Sequence, residues 1–294
     1  LKAISIITPQ EATITVVTLK YTKRRLSRLG ILAISGLILI VVAAIIGPFL
    51  WPWDAFDQHP ELRLETPSWA HPFGTDQYGR DLLARVLGGS RWSLAGAVLV
   101  CLGTSLIGFT IGAISALGGP VIDALLSRIM EAVISLPGIV TALAFSAVLG
   151  PSFPNLLLAL VLTNWPWYAR TYRNLILKER AASYIEGAVA VGATRLGQLR
   201  RHILPNIVGP ALVIATINFG SVILNLSALS FLGLGMQPPT PEWGTMISEA
   251  RTYFQVYPFQ MIAPGLCIAF TLLTVNLSGD ALRDLIDPHT RQIG

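Results

Sequence analysis

An all-α polytopic membrane bundle of six spans, with both termini cytoplasmic, is the fold the sequence predicts. Three observations carry that prediction. Of 294 residues 53% are hydrophobic and only 13% charged, mean hydropathy is +0.62, and the basic residues divide unevenly between alternate loops. An apolar surplus of this size exceeds what a soluble core can bury, whereas a bilayer accommodates it directly. Cys101 and Cys267 both lie in apolar runs and belong to no CxxC pair, which excludes a disulfide scaffold and a cysteine-rich zinc module.

Residues 31–50 carry no charge, and at 1.5 Å per residue they span about 30 Å, one hydrocarbon thickness. The following Pro48-Phe49-Leu50-Trp51-Pro52 offers no small-residue cleavage site, so this span is expected to be retained. Further apolar runs at 93–117, 129–149, 154–168, 207–232 and 259–277 predict five more spans. Glu131 and Pro137 lie in the third, and Pro166 interrupts the short fourth. The resulting organisation is a cytoplasmic segment 1–30, a first span 31–50, an extracytoplasmic loop 51–92, a five-helix core 93–278 holding the loop 169–206, and a cytoplasmic tail 279–294.

Six spans place both termini on one side, so the loops fall into two sets. Five of the 21 basic residues (Arg63, Arg80, Arg85, Arg91 and Arg251) lie in one set and sixteen in the other. The positive-inside rule makes the termini and residues 169–206 cytoplasmic. The net charge of +5 thus belongs to loops beside the membrane, and no nucleic-acid partner is expected. Trp51, Trp53, Trp92, Trp165 and Trp167 flank spans and are read as interface anchors.

In the 51–92 loop, Leu82, Leu83, Val86 and Leu87 fall on one face of a helix predicted to lie on the membrane. Asp76, Arg80 and Asp81 are expected to cap it and fix the turns before it. His59 and His71 match no metal-ligand spacing. On the other side, residues 169–206 predict two short helices joined at Gly192. The second is amphipathic through Leu196, Leu199 and Ile203, and it stops at Pro205. Such a projecting pair can dock into a partner's groove and transmit rigid-body motion, although a basic face lying near lipid headgroups also accounts for its arginines.

Within the spans, Asn164, Asn218, Asn225 and Asn276 serve either a polar path or interhelical hydrogen bonds. Gly108 and Gly112 predict close helix packing, and Glu131 is placed to pair with Arg128 three residues earlier. A channel or secondary carrier working without ATP would need ionisable residues deep in the spans, which only Glu131 approximates. A non-transporting scaffold leaves the projecting loop unused, and no nucleophile, base and acid set suggests an enzyme.

The run Glu186-Gly187-Ala188, Gly192-Ala193-Thr194-Arg195 and His202-Ile203-Leu204-Pro205 resembles the coupling loop of permease subunits in binding-protein-dependent ABC importers. Gly187 stands where that motif has alanine, and His202 where many members have isoleucine. Residues 71–94, the segment FLGLGMQPPTPEWG at 231–244, and GDALRDLIDP at 279–288 resemble the C-type subunit of the dipeptide, oligopeptide and nickel branch. Together these segments extend over most of residues 70–288. The resemblance implies a type I importer permease in a prokaryotic inner or plasma membrane. It further implies a homologous permease partner, two ATPase subunits on the coupling loops, and an extracytoplasmic binding protein. ATP and Mg would be bound by the partner ATPases: no lysine here follows a glycine as a Walker A loop requires, and no cofactor or metal is expected in this chain. By the same resemblance Pro238, Pro239, Trp243 and Gly244 face the binding protein, although the same residues would serve equally to cap the bundle. Small peptides are the expected substrate, with nickel or a metal chelate as the alternative and the substrate-lining residues open.

Overall fold

The structure, a computed structural model, describes residues 27–286. The predicted cytoplasmic placement of Lys2, Lys20, Lys23, Arg24, Arg25 and Arg291, and the Asp287-Pro288 end of the tail motif, lie outside the described residues. Every named element among the described residues is helical.

Helix α1 (Arg28–Leu50) starts where the Ser27 hydroxyl accepts the Gly30 N–H at 3.0 Å. It contains Pro48, which has no N–H to offer the carbonyl four residues back, that of Ala44. Arg91 supplies the missing donor: its Nε reaches the Ala44 carbonyl and its Nη2 the Ile45 carbonyl, both at 2.8 Å, while its guanidinium lies 4.7 Å from the Phe49 ring centroid.

Helix α2 (Leu82–Gly118) runs 37 residues, about 55 Å, and corrects the prediction of a separate helix lying on the membrane. Leu82 and Val86 are only 3% and 4% exposed, because the first turns of α2 pack inside the protein. The third predicted run falls on two helices, α3 (Pro120–Ile134) and α4 (Gly138–Leu149), bent by 86° at Pro137, whose ring removes a helical N–H and disfavours α geometry at Leu136. Helix α5 (Phe153–Arg180) passes through Pro166 without ending and is far longer than the predicted 154–168.

After α6 (Ser183–Ala190) and α7 (Arg195–Gln198), a wide π turn over Leu199–Ile203 leads directly into α8 (Leu204–Phe231). Pro205 therefore does not stop the chain: the Leu204 N–H reaches back five residues to Leu199, and Pro205 falls in the first turn of α8, where a proline is tolerated. Helices α9 (Trp243–Ala250) and α10 (Phe259–Ile286) complete the order. Four helices are long and apolar enough to span a membrane, and five if the bent α3–α4 pair counts as one span. Helix α5 falls outside that count because Asn164, Tyr168 and Arg170 dilute its apolar run.

The core lies between α2, α5 and α8, where Val100, Leu156, Leu160, Ile223 and Leu226 are fully buried. Gly108 and Gly112 let α2 and α5 meet backbone to backbone, as their spacing predicts. A methyl at Gly108 would sit 2.5 Å from Tyr168 Cβ, and one at Gly112 2.5 Å from the Ala169 carbonyl oxygen. A second buried cluster, including Ala113, Ile176, Ile185, Ile203 and Ile207, closes the end that carries the 169–206 loop.

Candidate functional site

The 169–206 loop is rigid at its base and open at its tip. Ile185, on α6, inserts into the second core cluster, and the Tyr184 hydroxyl donates to Glu179 Oε2 at 2.5 Å while accepting from Asn206 Nδ2 at 2.9 Å. The neighbouring Glu179 carboxylate raises the Tyr184 phenol above its ordinary value. The end of α5, α6 and the start of α8 are thereby joined. Helix α6 ends with two bonds closing around Gly192: Gly192 N–H to Val189 O at 2.9 Å and Ala193 N–H to Ala188 O at 3.0 Å. This termination requires a left-handed residue, and Gly192 supplies it at φ +89°. Thr194 then caps α7 through the Gly197 N–H at 3.2 Å.

Glu186, Gly187 and Gly192 are exposed, and nothing lies within 4 Å of a methyl built on either glycine. The predicted apolar face of the second helix divides: Leu199 and Ile203 are buried, while Leu196 is 61% exposed and joins Val191, 91% exposed, at the tip. The sequence reading missed Val191, which sits in the turn and obeys no helical period. Ala188, Ala193 and His202 are half-buried flanks; Leu204 is half-buried and Pro205 exposed at the start of α8.

Two arginines fix this loop to the end of α2. Arg180 Nη1 donates to the Ala116 carbonyl and Arg195 Nη1 to the Leu117 carbonyl, each at 2.7 Å. The last carbonyls of a helix have no partner within it and carry partial negative charge, so two guanidiniums are well matched to them. Arg180 was not anticipated, since its partner is a backbone group 64 residues away in sequence.

At the other end of α2 a buried polar clasp joins residues 71–94 to residues 239–249. Asp81 caps α2 through the Ala84 N–H at 2.7 Å and also accepts from Trp51 Nε1 at 2.9 Å, while His71 Nδ1 lies 2.8 Å from its second oxygen. Asp76 fixes its turn through the Tyr78 and Arg80 N–H groups and pairs with Arg80 Nε at 2.6 Å, so the capping and turn-fixing roles predicted for Asp76 and Asp81 are observed. Arg85 reaches Glu249 at 2.8 Å and the Pro239 carbonyl at 3.2 Å. Glu242, fully buried, accepts from Ser93 Oγ at 2.8 Å and caps α9 through Gly244 and Thr245. Trp243 is 2% exposed and donates from Nε1 to the Val86 carbonyl at 3.1 Å. Of the four residues expected to face a partner, Pro238 and Pro239 are exposed, while Trp243 and Gly244 point into the protein. Trp51 and Trp53 also serve the clasp rather than acting only as anchors: Trp53 donates to the Ala70 carbonyl at 3.2 Å and its ring lies tilted against His71, centroids 4.6 Å apart.

Two cavities lie along α3 and α5. One, of about 230 Å³, is lined by Thr163, Asn164, Trp167 and Asn218 among others. Asn164 and Asn218 bond the Leu160 and Ile214 carbonyls of their own helices rather than bridging between helices. Asn225 is half-buried and Asn276 exposed near Gly220. The second cavity, about 480 Å³, is lined by Asp123, Glu131, Arg170, Arg173 and Asn174 among others. The predicted Arg128–Glu131 pair does not form: neither takes part in an ion pair among the described residues, and Glu131 instead lines this cavity. Here Arg173 grips Asp123 through Nε and Nη2, each at 2.5 Å.

The Ser115 hydroxyl donates to the same carboxylate at 2.6 Å. Asp123→Asn is therefore expected to lower the melting temperature measurably, since it weakens a two-point pair and leaves the Arg173 guanidinium with a neutral partner. An unchanged melt would show that this pair does not help to hold α3 against α5.

Residues 108–292 match the family described as the inner membrane component of binding-protein-dependent transport systems. The chain is 40% identical over 269 residues to a dipeptide transport system permease protein of Alkalihalophilus pseudofirmus, covering 92% of this chain and 88% of that protein. It is also 40% identical over 253 residues to a probable D,D-dipeptide transport system permease protein of Escherichia coli, covering 86% and 85%. To a glutathione transport system permease protein of Pectobacterium atrosepticum it is 38% identical over 271 residues, covering 91% and 90%. Among solved structures, an inward-facing MetNI methionine ABC transporter chain matches with a TM-score of 0.55 and 19% identity, covering 69% of this chain and 96% of that one; this shows a shared fold. Four or five apolar spans, a rigid projecting loop and matches extending over nine-tenths of the chain point to one conclusion: the protein belongs to the binding-protein-dependent transport system inner membrane component family, as a multi-pass permease subunit of an ABC importer.

Proposed function

We propose that this subunit imports small peptides, forming the translocation path with a homologous permease and coupling it to two ATPase subunits that bind ATP and Mg. The relatives named for dipeptide transport support the substrate, and the uneven division of basic residues supports six spans with cytoplasmic termini. On this reading α5 and the bent α3–α4 pair complete the count of six.

One observation carries the mechanism. Helix α2 joins both ends of the molecule in a single rod, held by the clasp through Asp81, Arg85 and Ser93 and by Arg180 and Arg195 at its other end. The exposed tip formed by Glu186, Gly187, Val191, Gly192 and Leu196 docks in a groove of an ATPase subunit. A binding protein on the Pro238-Pro239 face biases the clasp. Each site then shifts the same conformational equilibrium, and linkage makes the effect reciprocal: loaded binding protein favours ATPase closure as much as closure favours its docking.

The test is uptake by proteoliposomes holding the complete importer and its binding protein, with labelled dipeptide compared against labelled nickel with and without chelator. ATP-dependent dipeptide uptake supports the proposal. Nickel uptake alone replaces the substrate, and flux without ATP overturns the coupling.

A further inference from the structure

The 480 Å³ cavity is charged in a particular way. Four ionisable side chains line it, and two cancel: Arg173 and Asp123 share a two-point ion pair. Arg170 on α5 and Glu131 on α3 remain, exposed to the cavity and without an ion-pair partner among the described residues. A volume of this size is ample for a solute of two or three residues. One cation and one anion without ion-pair partners, carried by two different helices around one cavity, complement a zwitterion.

The neighbouring 230 Å³ cavity continues the same groove one turn along both helices. Val133 and Ile134 there follow Met130 and Glu131 on α3, and Trp167 precedes Arg170 on α5. Its Asn164 and Asn218 amides each donate one N–H to a carbonyl of their own helix, which turns Nδ2 to the backbone and leaves each Oδ1 as an acceptor for a peptide N–H.

We propose that these residues form a transient site for the peptide in passage: Arg170 takes the C-terminal carboxylate, Glu131 the N-terminal ammonium, and Asn164 with Asn218 the peptide group. The inference rests on the peptide-importer reading above and assigns residues to the substrate path.

The test uses the permease–ATPase complex in nanodiscs and measures equilibrium binding of labelled glycyl-phenylalanine, its C-terminal amide and its N-acetyl form. Arg170→Gln should weaken binding of the free dipeptide about tenfold while leaving the amide unchanged. Glu131→Gln should do the same for the free dipeptide while leaving the N-acetyl form unchanged. This cross-pattern distinguishes recognition of the two peptide ends from a general structural effect, which would weaken all three ligands together. Equal weakening of every ligand, no effect of either variant, or no dipeptide binding at all overturns the proposal. Wild-type uptake measured in parallel on the complete importer separates the two ideas. Peptide import with a flat binding pattern removes only this site, whereas absent import removes the peptide reading itself.

Discussion

Changing Glu186 to alanine is expected to leave a complex that assembles in full yield and hydrolyses ATP, while dipeptide uptake falls about thirtyfold. The structure makes this variant unusually clean. Glu186 is exposed on α6, and its side chain takes part in no hydrogen bond or ion pair among the described residues, so its loss removes no internal contact. Surface changes of that kind alter stability by no more than about 0.5 kcal/mol. A hydrogen bond from a partner to the ionised carboxylate contributes about 2 kcal/mol, and where that bond forms in only one of the two transport states, 1.4 kcal/mol per tenfold makes it about thirtyfold in the equilibrium between them. Glu186→Gln should retain part of the activity. The measurement is the ratio of peptide imported to ATP hydrolysed; an unchanged ratio in Glu186→Ala would remove the coupling role from this side chain. Gly192 serves less well as a probe. A side chain there meets open space yet must adopt φ +89°, which costs about 1–2 kcal/mol whatever the partner does.

Much of this architecture was legible in the sequence because the bilayer imposes a strong, local signal. Charge-free residues 31–50 gave α1 within a few positions, and the small-residue turn at Gly192 was placed correctly between α6 and α7. The failures share a cause. Pro205 was read as a stop and Pro166 as an interruption, yet both sit within continuous helical segments, while Pro137, placed inside one span, separates two helices. What a proline does depends on whether other groups satisfy the carbonyl it leaves free. For Pro48 that group is Arg91, 43 positions away, and no local pattern announces it. The same holds for the clasp. Asp76 and Asp81 were assigned their local capping roles, but the partners that bury them are distant: Trp51 on Asp81, and Arg85 between Asp76 and Glu249. For Trp243 two readings stood side by side, a face for the binding protein by resemblance and a cap on the bundle. The second fits its burial, since Ser93 and the Val86 carbonyl give its backbone and indole N–H groups partners inside the protein. The loop around Gly192 was recognisable because the spacing of Glu186, Gly192 and Pro205 resembles that of a known coupling motif. Its attachment through Arg180 and Arg195 to α2 was not, since carbonyl acceptors have no sequence signature.

Gly112→Leu should eliminate the assembled complex, and Gly112→Ala should lower its melting temperature measurably. At this position a methyl would stand 2.5 Å from the Ala169 carbonyl oxygen and 3.0 Å from the Arg173 N. Both are backbone atoms of α5 and cannot rotate away, so relief requires the two helices to separate. Overpacking in a close-packed core costs about 1–3 kcal/mol for one or a few added carbons, and more when backbone must move. Separation here would not stay local. Gly108, one turn earlier, meets Tyr168 in the same way, and Arg173 beside the contact carries the ion pair to Asp123. Displacing α2 also draws its final carbonyls away from Arg180 and Arg195, so the coupling loop loses its attachment along with the core. Gly187→Ala is the matched control: nothing lies within 4 Å of its methyl, and in a helix interior alanine is favoured over glycine by about 1 kcal/mol. That variant should assemble at least as well as wild type. The comparison requires only the yield of monodisperse complex after detergent extraction and its thermal melt. If Gly112→Leu assembled normally, the close α2–α5 contact would not exist in the membrane, and α2 could not act as one rod between the clasp and the coupling loop.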